Sequence, residues 1–240
     1  MKKVLIFLLI YVLTAGLTAP AFAAQADPLL TLVNPWNTLP ENWTVELVNI
    51  GNGHKVDKTC YDDLMAMLDA CKGAGLRPVV RSSYRTQATQ KRLYENKVSQ
   101  WMGYGYSDAE ARKKAATIVA VPNTSEHQMG WAVDIVDASY QVLNEKQATM
   151  PAQIWLMEHS WEYGFILRYP TNKSEVTGII YEPWHYRYVG REYAKAIFDS
   201  GLCLEEWLEK RETRQAVEQA ISTGQEDIRR RAFVMLWNKK

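Results

Sequence analysis

Three cysteines in 240 residues, with no pair at zinc-finger spacing, exclude a disulfide-stapled miniprotein and a cysteine-held metal knot. Cys60 and Cys71 fall in one predicted helix, CYDDLMAMLDAC. At ~1.5 Å per residue they stand ~16 Å apart, too far to bridge, so any disulfide must involve Cys203. Charge of one sign is also missing: 28 Lys and Arg face 27 Asp and Glu, for a net charge of +1. That balance offers no attraction for nucleic acid or an acidic surface. Histidine is scarce, with four in the chain. There is no internal repeat and no low-complexity linker. Beyond the first residues no apolar run approaches the ~20 residues of a membrane span.

Hydrophobic residues make up 47% of the chain, enough for a core, and Trp (9) and Tyr (13) are numerous. Length and composition predict one globular domain of ~150–180 residues with terminal extras. MKK is a basic start, VLIFLLIYVLTAGL an apolar stretch, and TAPAFAAQA a small-residue segment with A-x-A matches. This is the layout of a secretory signal over residues 1–24, cleaved or kept as an anchor, and it implies an extracytoplasmic protein at the cell wall or membrane.

DKTCYDDLMAMLDACKGAG has a helical apolar stripe, a cap at Asp57 or Thr59, and terminal glycines. Further helices are expected in TQATQKRLYENKV, in SDAEARKKAATIVAV after the cap Ser107, in PAQIWLMEHSWEYG, in GREYAKAIFDSG and in LEEWLEKRETRQAVEQAI. LRPVVRSSYR, GWAVDIV, FILRYP and GIIYEPWHYRYV read as strands. The stretch before residue 57 reads as loop with short extended pieces, and the last residues as a weakly packed tail. The mixture predicts an α+β domain, a small antiparallel sheet flanked by helices.

SEHQMGWAVDI carries the chemistry. Asp134 sits between Val133 and Ile135 in a strand about to be buried. A buried carboxylate costs several kcal/mol unless a cation faces it. Zinc would be that cation, with His127 supplying a second ligand. EPWHYRYVG offers Glu182 and His185 three apart, and Pro183 between them breaks strand alternation so that both can approach one centre. His185 then completes the ligand set and Glu182 accepts a proton. Taken singly, each residue has an ordinary structural use: a core histidine, a solvated acid at a strand end. His54 lies in a turn and His159 in a helix with no acid or histidine four residues away, so neither is assigned to metal.

The order S-x-H-x-x-G-x-A-x-D (Ser125, His127, Gly130, Ala132, Asp134) followed by E-P-W-H (Glu182 to His185) resembles the VanY-type D-alanyl-D-alanine carboxypeptidases. These belong to a zinc peptidase group with D-Ala-D-Ala dipeptidases, L,D-carboxypeptidases and, more distantly, hedgehog and lysostaphin-like domains. The resemblance spans roughly residues 40–205 and implies that fold in a domain over 25–205, with a helical tail over 206–240. It implies one Zn²⁺ held by His127, Asp134 and His185, and Glu182 as catalytic base. SYRTQATQ matches a further family segment, with Arg85 stabilising the oxyanion or the substrate carboxylate and Gln90 at a matching place. Ser125, Gln90 and Trp184 are expected to bind substrate. Tyr186 could wall the pocket, and Arg168 is a further carboxylate-binding candidate. The implied reaction is removal of the last D-Ala from a peptidoglycan stem peptide by a zinc-activated water; the oligomeric state is open, and a monomer is assumed. L,D-carboxypeptidase and dipeptidase activity on wall substrates remain open, as does a non-catalytic zinc-stabilised wall-binding module.

Overall fold

The computed structural model describes residues 27–222. The expected signal over 1–24 and the tail beyond 222 lie outside them. In chain order the elements are β1 (Leu47–Gly51), β2 (His54–Asp57), α1 (Lys58–Gly73), β3 (Pro78–Ser82), α2 (Gln87–Gly103), α3 (Asp108–Ala116), β4 (Ala132–Asp137), α4 (Pro151–His159), β5 (Phe165–Leu167), α5 (Ser174–Thr177), β6 (His185–Tyr188), α6 (Arg191–Ser200) and α7 (Leu204–Ser222). β1 and β2 form an antiparallel hairpin, and β3-β4-β6-β5 form a four-stranded antiparallel sheet. The α+β expectation holds, and among the described residues no helix is long and apolar enough to cross a membrane.

Alternation along the central strands decides what is buried on each face. Val133 and Ile135 of β4 and Tyr186 and Tyr188 of β6 point into a core shared with Leu64, Met67 and Leu68 of α1 and Leu156 of α4. Each fully buried aliphatic side chain there is worth ~1.5–3 kcal/mol. α6 and the start of α7 pack on Ile166 and Val189, and α2 with α3 forms a helical hairpin around Tyr94, Val98, Ala111 and Ala115. Ser107 caps α3 with Glu110 in a reciprocal capping box. The three cysteines are buried free thiols rather than bridge partners.

One expectation needs correcting. Only His185–Tyr188 of GIIYEPWHYRYV is strand. Pro183 has no N–H to donate, and the backbone before it is bonded elsewhere, Ile180 N–H to Thr117 O and Glu182 N–H to Tyr169 O. The helix expected over LEEWLEKRETRQAVEQAI is α7, which runs across the 205/206 limit given to the tail. α7 starts at Leu204, and Glu205 and Glu206 form ion pairs with Arg168 and Lys173 of the domain.

Asp57 joins the hairpin to α1. Its Oδ1 accepts from Thr59 N–H (2.9 Å) and Trp131 Nε1–H (3.2 Å), and its Oδ2 from Glu46 N–H (2.8 Å). Burial pushes this carboxyl up, but those N–H groups prevail and hold it below its ordinary value. Asp57→Ala strands three donors, and a loss of ~2–4 kcal/mol is expected. The charge stabilises the fold fully above the ordinary carboxylate pKa, and that contribution disappears as pH falls through the lowered folded value. Thermal melts should therefore show the widest gap between wild type and variant near neutrality, narrowing below ~pH 4. A gap independent of pH would refute the assignment.

Candidate active site

Strand register brings two of the candidate ligands together. Asp134 of β4 lies opposite His185 of β6, and on its other side opposite Ser82 of β3, beside a bulge between Val80 and Ser82. With Val133 and Ile135 committed to the core, Asp134 is left on the other face. His127 arrives on a 3₁₀ turn, Glu126–Met129, closed by Gly130 at φ 78°. A Cβ on Gly130 would lie 2.9 Å from Asp57 Cβ and 3.1 Å from Asp57 N, so this turn needs glycine for both its backbone angle and its space.

His127 Nδ1 lies 2.9 Å from Ser83 O, which fixes the proton on Nδ1 and leaves the Nε2 lone pair 3.3 Å from Asp134 Oδ2. His185 presents Nδ1 instead, 3.0 Å from Asp134 Oδ1. One atom from each of His127, Asp134 and His185 lies within 4.8 Å of the others, and all three residues are buried. Two imidazole nitrogens and one carboxylate, buried and convergent, are a donor set that fits a zinc ion with an open position. Glu182 stands beside them, with Oε2 3.8 Å from His185 Nδ1.

Electrostatics separate the four groups. Burial raises the Asp134 carboxyl, but His127, His185 and Arg85 together hold it well below the usual range. Burial and the Arg85 charge push His127 down to about 4. Burial also works against His185⁺, yet the bond to Asp134 and the nearby Glu126 carboxylate raise it to about 9. Glu182 is pushed up to about 8, first by burial and then by the Asp134 charge, against His185 and Arg85. That is the range in which a carboxyl can take and return a proton near neutral pH.

These groups open into a cleft of about 250 Å³. Ser125, Trp184, Tyr169 and Arg85 line it with the ligands and Glu182, while Leu93, Ile118, Val119, Leu143 and Ile179 make its walls apolar. A larger hollow of about 640 Å³ near Trp43 and Thr59 contains none of the convergent titratable groups. Volume is therefore a poor guide here, and the smaller cleft is the site.

Against known proteins, the family described as VanY, D-alanyl-D-alanine carboxypeptidase, matches residues 53–191. The chain belongs to the VanY family. A D-alanyl-D-alanine carboxypeptidase of Enterococcus faecalis is 45% identical over 192 residues, which is 80% of this chain and 69% of that protein. Among solved structures, VanYB in complex with D-alanine-D-alanine is 43% identical with a TM-score of 0.70, covering 76% of this chain and 98% of that one. The vancomycin-resistance D,D-pentapeptidase VanY in complex with Zn(II) is 44% identical with a TM-score of 0.69, covering 75% and 98%. The L,D-carboxypeptidase LdcB is 37% identical with a TM-score of 0.64, covering 76% and 86%.

Within this VanY-family site, Ser125, His127, Asp134, Glu182, Trp184, His185 and Arg85 all line the cleft. Gln90, expected to bind substrate, does not line the cleft. It is fully buried, its Nε2–H donates to Ala120 O (2.7 Å), and its Oε1 accepts from Arg85 Nη1 (3.3 Å). Arg85 also donates from Nε to Ser82 Oγ (2.8 Å) and from Nη2 to Asp134 Oδ2 (2.9 Å). This leaves a second N–H on each terminal nitrogen for a ligand. Tyr186 is a core residue whose hydroxyl donates to Gln153 Oε1, not a pocket wall. Arg168 is fully buried and paired with Glu126 and Glu205, so it is closed to substrate. Sequence reasoning missed two residues. Tyr169 lines the cleft with its ring 4.8 Å from that of His185, and Glu126 lies behind the same histidine. An acid directly before the first ligand, in a segment expected to be buried, was the available signal for Glu126.

Proposed function

We propose that this chain is a zinc-dependent D-alanyl-D-alanine carboxypeptidase that removes the C-terminal D-Ala from peptidoglycan stem peptides. The observation that carries the reading is the convergence of His127, Asp134 and His185 beside the raised Glu182 carboxyl in the floor of one cleft. Held by those three side chains, zinc supplies a Lewis acid that polarises the attacking water and the scissile carbonyl. Glu182 takes the proton of that water as its oxygen bonds to the carbonyl carbon. It then delivers the proton to the D-Ala nitrogen as the C–N bond breaks. Arg85 offers its free N–H groups to the carbonyl oxygen as charge develops there, or to the substrate carboxylate. Gln90 and Ser82 hold that guanidinium in place. Ser125 binds polar groups of the peptide, and Trp184 forms the wall.

The D,D reading is supported by three D,D relatives at 43–45% identity, against 37% to LdcB. Leu143, from the segment between β4 and α4, closes one side of the cleft and is a candidate determinant of that choice. The signal-like residues 1–24 support action outside the cytoplasm, where stem peptides are found. The test uses protein lacking residues 1–24, incubated with pentapeptide and tetrapeptide muropeptides with and without a zinc chelator, and read by mass spectrometry. Chelator-sensitive loss of one alanine from the pentapeptide is expected. Loss from the tetrapeptide alone would move the assignment to L,D. Cleavage of neither, with zinc bound, would overturn it.

A further inference from the structure

Among the described residues, two buried atoms beside the ligand cluster have no hydrogen-bond partner: His185 Nε2 and Glu126 Oε2. They face each other at 3.5 Å. His185 turns Nδ1 toward Asp134. For Nδ1 to offer a lone pair to a metal, the ring proton must sit on Nε2, and an acceptor there secures it.

Glu126 is built to be that acceptor. Its Oε1 accepts from Arg168 Nε (2.7 Å) and Arg187 Nη1 (2.9 Å), which leaves Oε2 aimed at the histidine. The side chains of all three are fully buried. Each arginine is tied at its far side. Arg168 donates from Nη1 and Nη2 to Glu205 Oε2 (2.9 Å) and Oε1 (2.6 Å), and Asn34 Nδ2 donates to the same Oε1 (3.1 Å). Arg187 Nη2 donates to Leu29 O (3.2 Å) and Thr31 O (3.0 Å). The cluster is charge-balanced, Arg168 and Arg187 against Glu126 and Glu205. An apolar group of equal volume would often serve stability as well as a buried ion cluster. Stability therefore gives no reason to aim an unsatisfied carboxylate oxygen at a metal ligand.

We infer that Glu126 is a positioning residue for the metal site. It keeps the proton on His185 Nε2 so that Nδ1 is free for zinc, and it is held there through Arg187 and Arg168 by chain outside the matched region 53–191, namely Leu29–Asn34 and the first turn of α7. This rests on the reading that His127, Asp134 and His185 hold zinc. It makes the terminal segments part of the outer wall of the site. Loss of the Glu205 carboxylate would leave one edge of Arg168 unneutralised, to compete with His185 for Glu126.

With four histidines, imidazole ¹⁵N spectra of the zinc-loaded full chain can be assigned. The wild type should show His185 protonated on Nε2 and bound through Nδ1, and His127 the reverse. Zinc affinity is measured in parallel by competition with a chromophoric chelator. Glu126→Gln should weaken zinc binding ~10–100-fold and move the His185 Nε2–H resonance upfield. Glu205→Gln, which touches no ligand, should move both in the same direction by less. A folded Glu126→Gln protein with wild-type affinity and an unchanged His185 spectrum overturns the inference. So does a wild-type spectrum with the His185 proton on Nδ1, a result that needs no variant to fold. Unaltered affinity in Glu205→Gln overturns the terminal clamp. A wild type that binds no zinc overturns the proposed function instead, so the two failures are distinguishable.

Discussion

Glu182→Gln is expected to cut kcat for D-Ala release by roughly 10²–10⁴-fold, equivalent to ~3–5 kcal/mol of barrier, while zinc stays bound. The amide has the shape of the acid but cannot accept the proton of the attacking water. Zinc retention follows from the geometry, because the three convergent ligand atoms belong to His127, Asp134 and His185. Stability should hold or rise. The Glu182 carboxyl is pushed up by burial and by Asp134, so a neutral group is easier to keep in that position. Metal analysis, thermal melting and turnover on the pentapeptide give the three readouts. Near-full activity in a zinc-loaded variant would remove Glu182 from the proton-transfer role.

His127→Ala is expected to abolish activity by a different route, through loss of the metal. The variant keeps Asp134 and His185 but loses one of three ligands. It should also lose the stabilisation that the wild type gains from zinc. At a free zinc concentration ~100 times the dissociation constant, that gain is ~2.7 kcal/mol. In a domain of this size it raises Tm by roughly 5–11 °C. Zinc should therefore shift the melt of the wild type and leave that of His127→Ala in place. Chelator added to the wild type should reproduce the metal-free melt and the loss of turnover together. A zinc-dependent shift of equal size in the variant would mean that His127 is not a ligand.

Much of the fold was legible because helix signals are local. Asp57, Ser107 and Pro151 mark starts that the structure uses, and the stripe Leu64, Met67, Leu68 and Cys71 is the buried face of α1. Strand limits were less legible, since pairing depends on partners far along the chain. GIIYEPWHYRYV has strand composition throughout, yet it pairs in the sheet only after Pro183. The site divides in the same way. An acid between two branched apolar residues, near one of four histidines, points to a metal from sequence alone. Gln90 and Arg168 were misjudged for one reason: residue type reports what a side chain can bond, not which partner reaches it first. Gln90 is occupied by Arg85 and Ala120, and Arg168 by Glu126 and Glu205.

The sequence by itself determined the helices, the candidate ligands and the acid beside them, because caps, apolar periodicity and motif spacing act over a few neighbouring residues. Only the tertiary structure decided which nitrogen of each histidine faces the centre, set for His127 by Ser83 O and for His185 by its position opposite Asp134 in the sheet. Tertiary structure alone also put Glu126 behind His185 and joined Asn34 to Glu205, 171 positions away. Contacts of that range depend on strand register and on the packing of whole elements, and these arise only when the chain closes on itself.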